Sequence, residues 1–470
     1  MSPDTAALEP LVEELLPAPD ATDVFARFAA LPFCVFLDSA RRDAKLGRYS
    51  FVAADPFETI VLPGDRADAL DVLSARMASF ATRTIADLPP FQGGAAGMVS
   101  YDLGRQWEPV AAPRFDEFRT PALAVGLYDV VVAFDHLQNR AWMISQGLPA
   151  QDVHARTRRA TERLAQFRAI VREPARRPVS HRMDRLPADR LASQFPTSTP
   201  ELTSNFSVDD YLRAVERAIE YIYAGDIFQV NLSHRLLHPA HDDAMALYRR
   251  LRERNPATFA GYFDFGPQQI VSASPERFLR VASGAVEARP IKGTRPRTKQ
   301  AEADLFTGDA LQASDKDRAE NLMIVDLLRN DLSRVCRSES VRVTQLCEIE
   351  RYEFVQHLVS AVTGQLRDGL GAIDLLRAAL PGGSITGAPK VRAMQIVSEL
   401  EPTARGAYCG SLAYFGFDGS FDSSILIRTI TAAAGWWQAP VGGGVVAQSD
   451  PRAEYDETWH KAEGLIRALV

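Results

Sequence analysis

Cysteine is scarce in this chain: four of 470 residues, Cys34, Cys336, Cys347 and Cys409, with no Cys-x-x-Cys pair among them. That scatter excludes a thiolate zinc site and a disulfide framework. No cysteine sits in a Gly-x-Cys-x-Gly elbow, so a thiol nucleophile of the glutamine-hydrolysing kind is absent, Tyr408-Cys409-Gly410-Ser411 being the nearest approach. Apolar runs stay short of the roughly 18 residues of a membrane span, and Met1 to Leu16 lacks the basic flank and apolar core of a secretory leader. A cytoplasmic protein with no membrane partner is expected. Positive charge is short as well. With 53 Lys and Arg against 60 Asp and Glu the net charge is -7, so no bulk field draws nucleic acid, and affinity for an anion has to be local. A Gly-x-Gly-x-x-Gly turn, a P-loop and a repeat of fixed period are all missing.

What is present is an ordinary globular composition, 46% hydrophobic and 24% charged. Ala122 to Gln146 holds two β-rich runs around the polar turn Gln138-Asn139-Arg140, and the glycine-rich Phe91 to Leu103 reads as a strand closely approached by another backbone. An arginine-rich helix spans Asp152 to Val171. It reads as a solvated helix leading into a Pro/Ser/Thr-rich surface connection, because too few aromatics interleave the charges for nucleic-acid stacking. This divides a single large unit into an N-terminal region 1–171, a connection 172–206 and a C-terminal region 207–470. Ser207 with Asp210 starts a helix by a capping box, and Ile227 to His234 alternates as a strand. A helix follows near Asp243 to Glu253, then strands at Phe259 to Phe265, Ile270 to Ala273 and Ala285 to Ile291. Further helices are expected from Ser314 to Leu332, from Ile373 to Leu380, from Ala388, and from Asp450 onward. Strands are expected at Ala407 to Gly416 and Phe421 to Thr431 around the Asp418-Gly419 turn. Strands and helices grouped in this way suggest α+β.

Within this frame a few residues could carry chemistry. Lys292, in Pro290-Ile291-Lys292-Gly293-Thr294, stands at a predicted strand end. Exposed it is inert; buried, its amine becomes a nucleophile. Asp317 and Glu320 lie three apart on one helix, Glu454 and Glu457 three apart on another. Such acidic ridges either face water near helix N-termini or share a hard divalent cation such as magnesium. Lys461, four residues after Glu457, either pairs with it or reaches an anion. Glu276 is a surface partner of Arg277 or Arg280, or, if buried, a usable acid. His357, on an apolar strand, is a core residue or a catalytic one. The glycine stretches 381–387 and 442–444 precede helices, where backbone amides bind anions or simply turn the chain.

In order along the chain stand Gly-Asp-Ile-Phe-Gln-Val (225–230), Ser-Pro-Glu-Arg-Phe (274–278), Pro-Ile-Lys-Gly-Thr (290–294), Ile-Val-Asp-Leu-Leu-Arg-Asn-Asp-Leu (324–332), Gly-Ser-Ile-Thr-Gly-Ala-Pro-Lys (383–390) and Glu-x-x-Glu-x-x-x-Lys (454–461). This series resembles the chorismate-utilising enzymes. The resemblance extends to Phe-Leu-Asp-Ser-Ala (36–40) and Gly-Arg-Tyr-Ser-Phe (47–51), and so to nearly the whole chain.

The resemblance implies a large sandwich of two antiparallel β-sheets with helices outside and the active site in a central cleft. It implies chorismate as substrate and Mg2+ held by Glu320 and Glu457, with Asp317 and Glu454 holding its waters; Asp317 is shorter than the glutamate often found there. Arg428, Tyr408 and the Gly444 amide match positions that hold the enolpyruvyl group. Ser384, Lys461 and His357 line the ring and its carboxylate, and Gln229 and Thr294 lie by the reacting face. It gives Lys292 the part of a nucleophile adding at C2, and Glu276 that of the acid that releases the C4 hydroxyl before ammonia enters. A sister branch, with a small residue in place of Lys292, aminates at C2 and eliminates pyruvate; that outcome, and a catalytically silent scaffold, are the alternatives. Ammonia is expected from a separate glutamine amidotransferase subunit. Asp38-Ser39 and Asn255-Pro256-Ala257-Thr258 match only in part the elements from which relatives build a tryptophan pocket.

Overall fold

Two neighbouring strands leave one sheet and enter another at the same place, and this double crossing organises the molecule. A computed structural model of the chain describes residues 9–43, 46–80, 82–174, 184–296, 310–351 and 355–470. Among these, two antiparallel sheets of thirteen and ten strands form the sandwich expected from the sequence. Val35–Asp38 pairs with Phe259–Asp264 in the first sheet, and Gly94–Val99 pairs with Ser411–Gly416 in the second. Strands from before residue 171 and after residue 207 thus share both sheets.

Period-2 alternation sends successive side chains to opposite faces and sorts the core into layers. Val35 and Phe263 of the first sheet meet Met98 and Leu412 of the second between the sheets. On the outer face of the first, Phe36 and Val52 pack under the helices Ala21–Phe28, Val153–Arg172, Ala244–Arg254 and Pro451–Leu469. Outside the second, Ala95 and Val99 meet the helices Ala69–Met77, Asp315–Ser333 and Ala372–Ala379. The helix starts follow their capping residues: Ser207 accepts from the Asp210 N–H at 3.1 Å, Ser314 from Asp317 at 3.3 Å and Asp450 from Ala453 at 2.8 Å. The close backbone approach expected at Phe91 to Leu103 occurs at Gly94, where a Cβ would stand 2.1 Å from the Phe415 carbonyl oxygen. The arginine-rich helix is less solvated than its composition suggests, because Arg163 turns inward to Asp55 at 2.7 Å and to the buried Asp129 at 3.3 Å.

At the double crossing, Gln268–Ser274 belongs to the first sheet and resumes after Pro275 and Glu276 as Arg277–Ala282 in the second. Beside it, Phe421–Ile425 of the second sheet resumes after Leu426 to Arg428 as Thr429–Ala433 of the first. The crossings are tied together: the Ile425 N–H donates to the Glu276 carbonyl at 3.1 Å and the Ala273 N–H to the Arg428 carbonyl at 3.0 Å. The sequence reading of one strand from Phe421 to Thr431 is therefore corrected. Its break is absorbed by Arg428 at φ +52, a left-handed conformation for which an arginine gives no sequence signal.

A buried ion pair holds the neighbouring segments. Arg405 donates to the two carboxylate oxygens of Glu401 at 2.7 and 2.9 Å, to the Ile385 carbonyl at 2.9 Å and to the Asn231 carbonyl at 2.6 Å. Glu401 also accepts from the Ser233 N–H at 2.8 Å and hydroxyl at 2.9 Å. Both charges are out of water, and each is satisfied by the other and by backbone. Arg405→Met removes the cation and leaves Glu401 buried alone. It is expected to cost about 3–5 kcal/mol of stability, read as a lower urea midpoint; an unchanged midpoint would refute the clamp.

Candidate active site

Beside the double crossing the sandwich opens into a cavity of about 420 Å³. The crossings themselves supply Glu276 and Arg428 to its wall, with Tyr408 from the turn that precedes Ser411–Gly416. Lys292 comes from the strand Ile291–Pro296, His357 from Val355–Gln365, Ser384 from the 3-10 turn Gly383–Ile385 and Gly444 from Trp436–Val445. Two helices close it: Asp315–Ser333 brings Asp317 and Glu320, and Pro451–Leu469 brings Glu457 and Lys461.

Lys292 is not at a strand end but inside a strand, beside a bulge. It pairs with Leu358 while Thr294 pairs with His357, so Gly293 is the extra residue. Gly293 has φ +66, and a Cβ there would stand 2.6 Å from Leu311 Cδ1 and 3.1 Å from Asp317 Cγ. Only glycine meets both demands, and the bulge it makes bends the strand and re-aims the neighbouring side chain. The half-buried Lys292 donates from Nζ to the Ser384 carbonyl at 3.3 Å.

Two candidates are off the cavity wall, and a third is placed only in part. Gln229 lies against Gly444, where a Cβ would stand 2.2 Å from its Nε2. Glu454 is buried and accepts from the Ser449 hydroxyl at 2.6 Å. Thr294 is placed by its backbone, its side chain lying outside the described residues. Lys390, the last residue of its motif, is bonded to Asp331 at 2.8 Å and to the Ala379 carbonyl at 3.0 Å.

Gly442 to Gly444, expected as a turn or anion-binding stretch ahead of a helix, lie in a strand against Gln229–Pro239. Asn231, opposite Gly444, gives its N–H to the Thr386 carbonyl at 2.9 Å and its own carbonyl to Arg405. The two residues therefore form a non-hydrogen-bonded pair, and the Gly444 amide faces the far edge of its strand. Along that edge the ladder to Thr429–Ala433 ends at Gln438. Asn231 is itself on the cavity wall and was not among the sequence candidates. Its signal was its place two residues after Gln229 on an alternating strand.

The wall carries two lysines and an arginine, Lys292, Lys461 and Arg428. Burial lowers the Arg428 guanidinium, opposed by Tyr408, Glu457 and Glu276. Burial also lowers the Lys461 ammonium; Glu457 works against this, while Arg428 and Lys292 add to it. Lys461 makes the expected ion pair with Glu457 at 2.6 Å, donates to the Gly442 carbonyl at 3.0 Å and still faces the cavity. Burial lowers His357 to about 4, with Arg41 helping and Glu350 opposing, so its imidazole is neutral at pH 7. Glu276 has neither of the arginine partners that would make it a surface residue: Arg277 is spent on Asp422 at 2.9 Å. It is buried, and desolvation raises it from 4.5 to about 7 despite Lys292, the Ile291 N–H and Arg428.

Asp317, Glu320 and Glu457 reach this cavity from two helices and offer hard oxygen donors. Among the described residues, no three His, Cys, Asp or Glu converge closely enough to enclose an ion as they stand. All four cysteines are buried thiols, and burial pushes Cys409 up to about 12. None of the described helices is long and apolar enough to cross a membrane.

Residues 33–467 match the family model described as chorismate binding enzyme. The chain is 38% identical over 478 residues to aminodeoxychorismate synthase component 1 of Salmonella typhimurium, covering 98% of this chain and 99% of that one. It is 41% identical over 383 residues to anthranilate synthase component 1 of Thermus thermophilus, covering 82% and 79%. The crystal structure of anthranilate synthase component I from Streptococcus pneumoniae superposes with a TM-score of 0.74 at 31% identity, over 90% of this chain and 93% of that one.

Glu276 yields a direct check. Its raised carboxyl holds a proton up to about pH 7, so the group opposes folding progressively as pH rises from 4.5 to about 7. In an infrared titration its protonated C=O band is expected to vanish with a midpoint near 7 and to be missing in Glu276→Gln. A midpoint in the ordinary carboxylate range would place the side chain in water.

Proposed function

The chain belongs to the chorismate binding enzymes, and from that membership we propose that it converts chorismate and ammonia to 4-amino-4-deoxychorismate, the compound from which 4-aminobenzoate is made for folate synthesis. The observation that carries this reading is the presence in one cavity of a lysine, Lys292, and a buried acid, Glu276, whose proton is held to about pH 7. The near-full-length relatives named aminodeoxychorismate synthase component 1 support it.

Chorismate is a dianion, and Arg428, Lys461 and the edge amides of the Gly442 to Gly444 strand suit its two carboxylates, with Tyr408 beside the enolpyruvyl group. The Lys292 amine adds to C2 of the ring through its nitrogen electron pair. The C1–C2 double bond moves to C1–C6, the C5–C6 bond to C4–C5, and the C4 hydroxyl leaves as water with the proton of Glu276. Ammonia then bonds to C4, the double bonds return and the C2–lysine bond breaks. A proton from the incoming nitrogen restores Glu276. Atoms balance as chorismate plus ammonia giving aminodeoxychorismate plus water. The acid is needed because hydroxide is a poor leaving group, and the covalent stage divides one displacement into two. His357, neutral, Ser384 and Thr294 border the reacting ring, and Gln229 stands behind Gly444.

Magnesium fits the donor set: Glu320 and Glu457 would hold it and Asp317 and Glu454 its waters. When bound, it would orient the ring carboxylate and offset its charge. Ammonia would come from a separate glutamine amidotransferase subunit, in keeping with the designation component 1 in the relatives.

The Thermus relative, at 41% identity, favours a second reading, amination at C2 with loss of pyruvate to give anthranilate. Incubation with chorismate, magnesium chloride and ammonium chloride separates the two. Expected is a product that a lyase converts to 4-aminobenzoate; fluorescent anthranilate formed directly would overturn the proposal. After an acid quench, intact-mass measurement should find wild-type protein carrying chorismate less water and Lys292→Ala carrying nothing. An unchanged rate in that variant, with no adduct on the wild type, would reduce Lys292 to an electrostatic role.

A further inference from the structure

A buried polar node joins three of the elements that carry the candidate site, yet none of its members lines the cavity. Asn321 follows Glu320 on the helix Asp315–Ser333, and Ser360 stands three residues after His357 on the strand Val355–Gln365; both are 0% exposed. The Ser360 hydroxyl donates to Asn321 Oδ1 and accepts from the Cys347 N–H at 2.9 Å, while the Cys347 thiol donates to the same Oδ1 at 3.6 Å. Asn321 Nδ2 has no partner among the described residues, so Oδ1 alone carries the link. The Ser360 N–H donates at 3.2 Å to the carbonyl of Pro290, two residues before Lys292. One serine thus ties the helix of Glu320 to the strands of Lys292 and His357.

The backbone departs from regular pairing to reach this node. Gln345 pairs with Ala361 and Glu348 with Val359, so Leu346 and Cys347 together oppose Ser360 as a bulge. Cys347 has φ +51, a left-handed conformation uncommon for any residue with a side chain, and one that persists where the surroundings impose it. The bulge at Gly293 flanks the same strand from its other side. There the helix meets the sheet a second time: a Cβ at Gly293 would stand 3.1 Å from Cγ of Asp317, four residues before Asn321 and so on the same helical face. Between these two anchors Glu320 comes round to the cavity.

Burying an asparagine and a serine costs their hydration, which an apolar pair of similar volume would not. What a directed hydrogen bond adds over apolar contact is a fixed orientation of the helix. We propose that Asn321 and Ser360 are positioning residues, which hold the carboxylate helix at one height and rotation over the Lys292 strand. They thereby set the place of Glu320 relative to Glu457, which comes from a helix over the other sheet. This rests on the proposed use of those two carboxylates to hold magnesium.

The test uses the full chain with Asn321→Ala, Ser360→Ala and both together; Ser360→Ala deletes one oxygen and serves if the asparagine variant does not fold. Half-saturation by magnesium chloride is read twice, from the ammonium-dependent rate and, with no substrate present, from the rise in thermal midpoint. In each single variant both readings are expected at about tenfold higher magnesium, with the chorismate Kd, measured calorimetrically without magnesium, unchanged. The double variant should be no worse than the poorer single, because each change breaks the same link. Magnesium half-saturation left in place, even beside a lower urea midpoint, would make the pair merely structural and overturn the proposal. A chorismate Kd that rises with it, as in a general loosening, or additive losses in the double variant would overturn it too. Wild-type protein indifferent to magnesium in both readings would sink the metal assignment and this inference with it. Anthranilate as product would sink the C4 assignment alone, since the thermal reading involves no turnover and still judges the pair.

Discussion

A strand cannot serve two sheets without a break in its ladder, and this molecule places two such breaks side by side. Peptide groups that leave a ladder need other partners. At Glu276 and Arg428 they find them in each other's strands, which is why the crossings sit together rather than at separate corners. The side chains at the breaks are released from the alternation that sorts the rest of the core, and both face the cavity. The Glu401–Arg405 pair works on the adjoining wall, fixing the Asn231 strand and the Ile385 turn to one buried charge. The cavity is thus a by-product of topology that buried polar bonds hold open.

The charge pattern explains how a chain with net charge -7 serves an anionic substrate. Burial weakens the hold of Arg428 and Lys461 on their protons, while at the crossing it keeps the proton on Glu276 up to about pH 7; the carboxylates of Asp317, Glu320 and Glu457 come from the helices instead. Glycines fill the opposite strand, so backbone rather than side chain forms that part of the wall. A neutral His357 adds polarity without adding to the positive field.

Much of this was legible in the sequence where local chemistry decides local structure. Ser207, Ser314 and Asp450 announced their helices because a capping hydroxyl or carboxylate is itself the physical cause of the helix start. The α+β class followed from the grouping of strands and helices, and the sandwich from the ordered motifs. What was not legible depends on long-range partners. The run from Phe421 to Thr431 reads as one strand since nothing in its apolar pattern marks the residue at which the chain changes sheets. Lys292 read as a strand end because a glycine next to it signals a turn as readily as a bulge. Gly442 to Gly444 read as a turn or an anion-binding stretch ahead of a helix, yet they lie in a strand paired with Gln229–Pro239. Glu401 and Arg405 are four apart in the sequence, but their pairing runs past a helix end and matters only through carbonyls contributed from Ile385 and Asn231.

The bonded crossings also bear on motion. If the two sheets slide over one another, as packed layers do in small shear movements, Glu276 and Arg428 travel as one body, since each carbonyl is held by the other's strand. The helices with the carboxylates of Asp317, Glu320 and Glu457 are anchored on different faces of the sandwich, one over each sheet. Sliding would therefore preserve the spacing within the crossing pair while changing its distance to those carboxylates, so that the mouth of the cavity breathes around a rigid hinge.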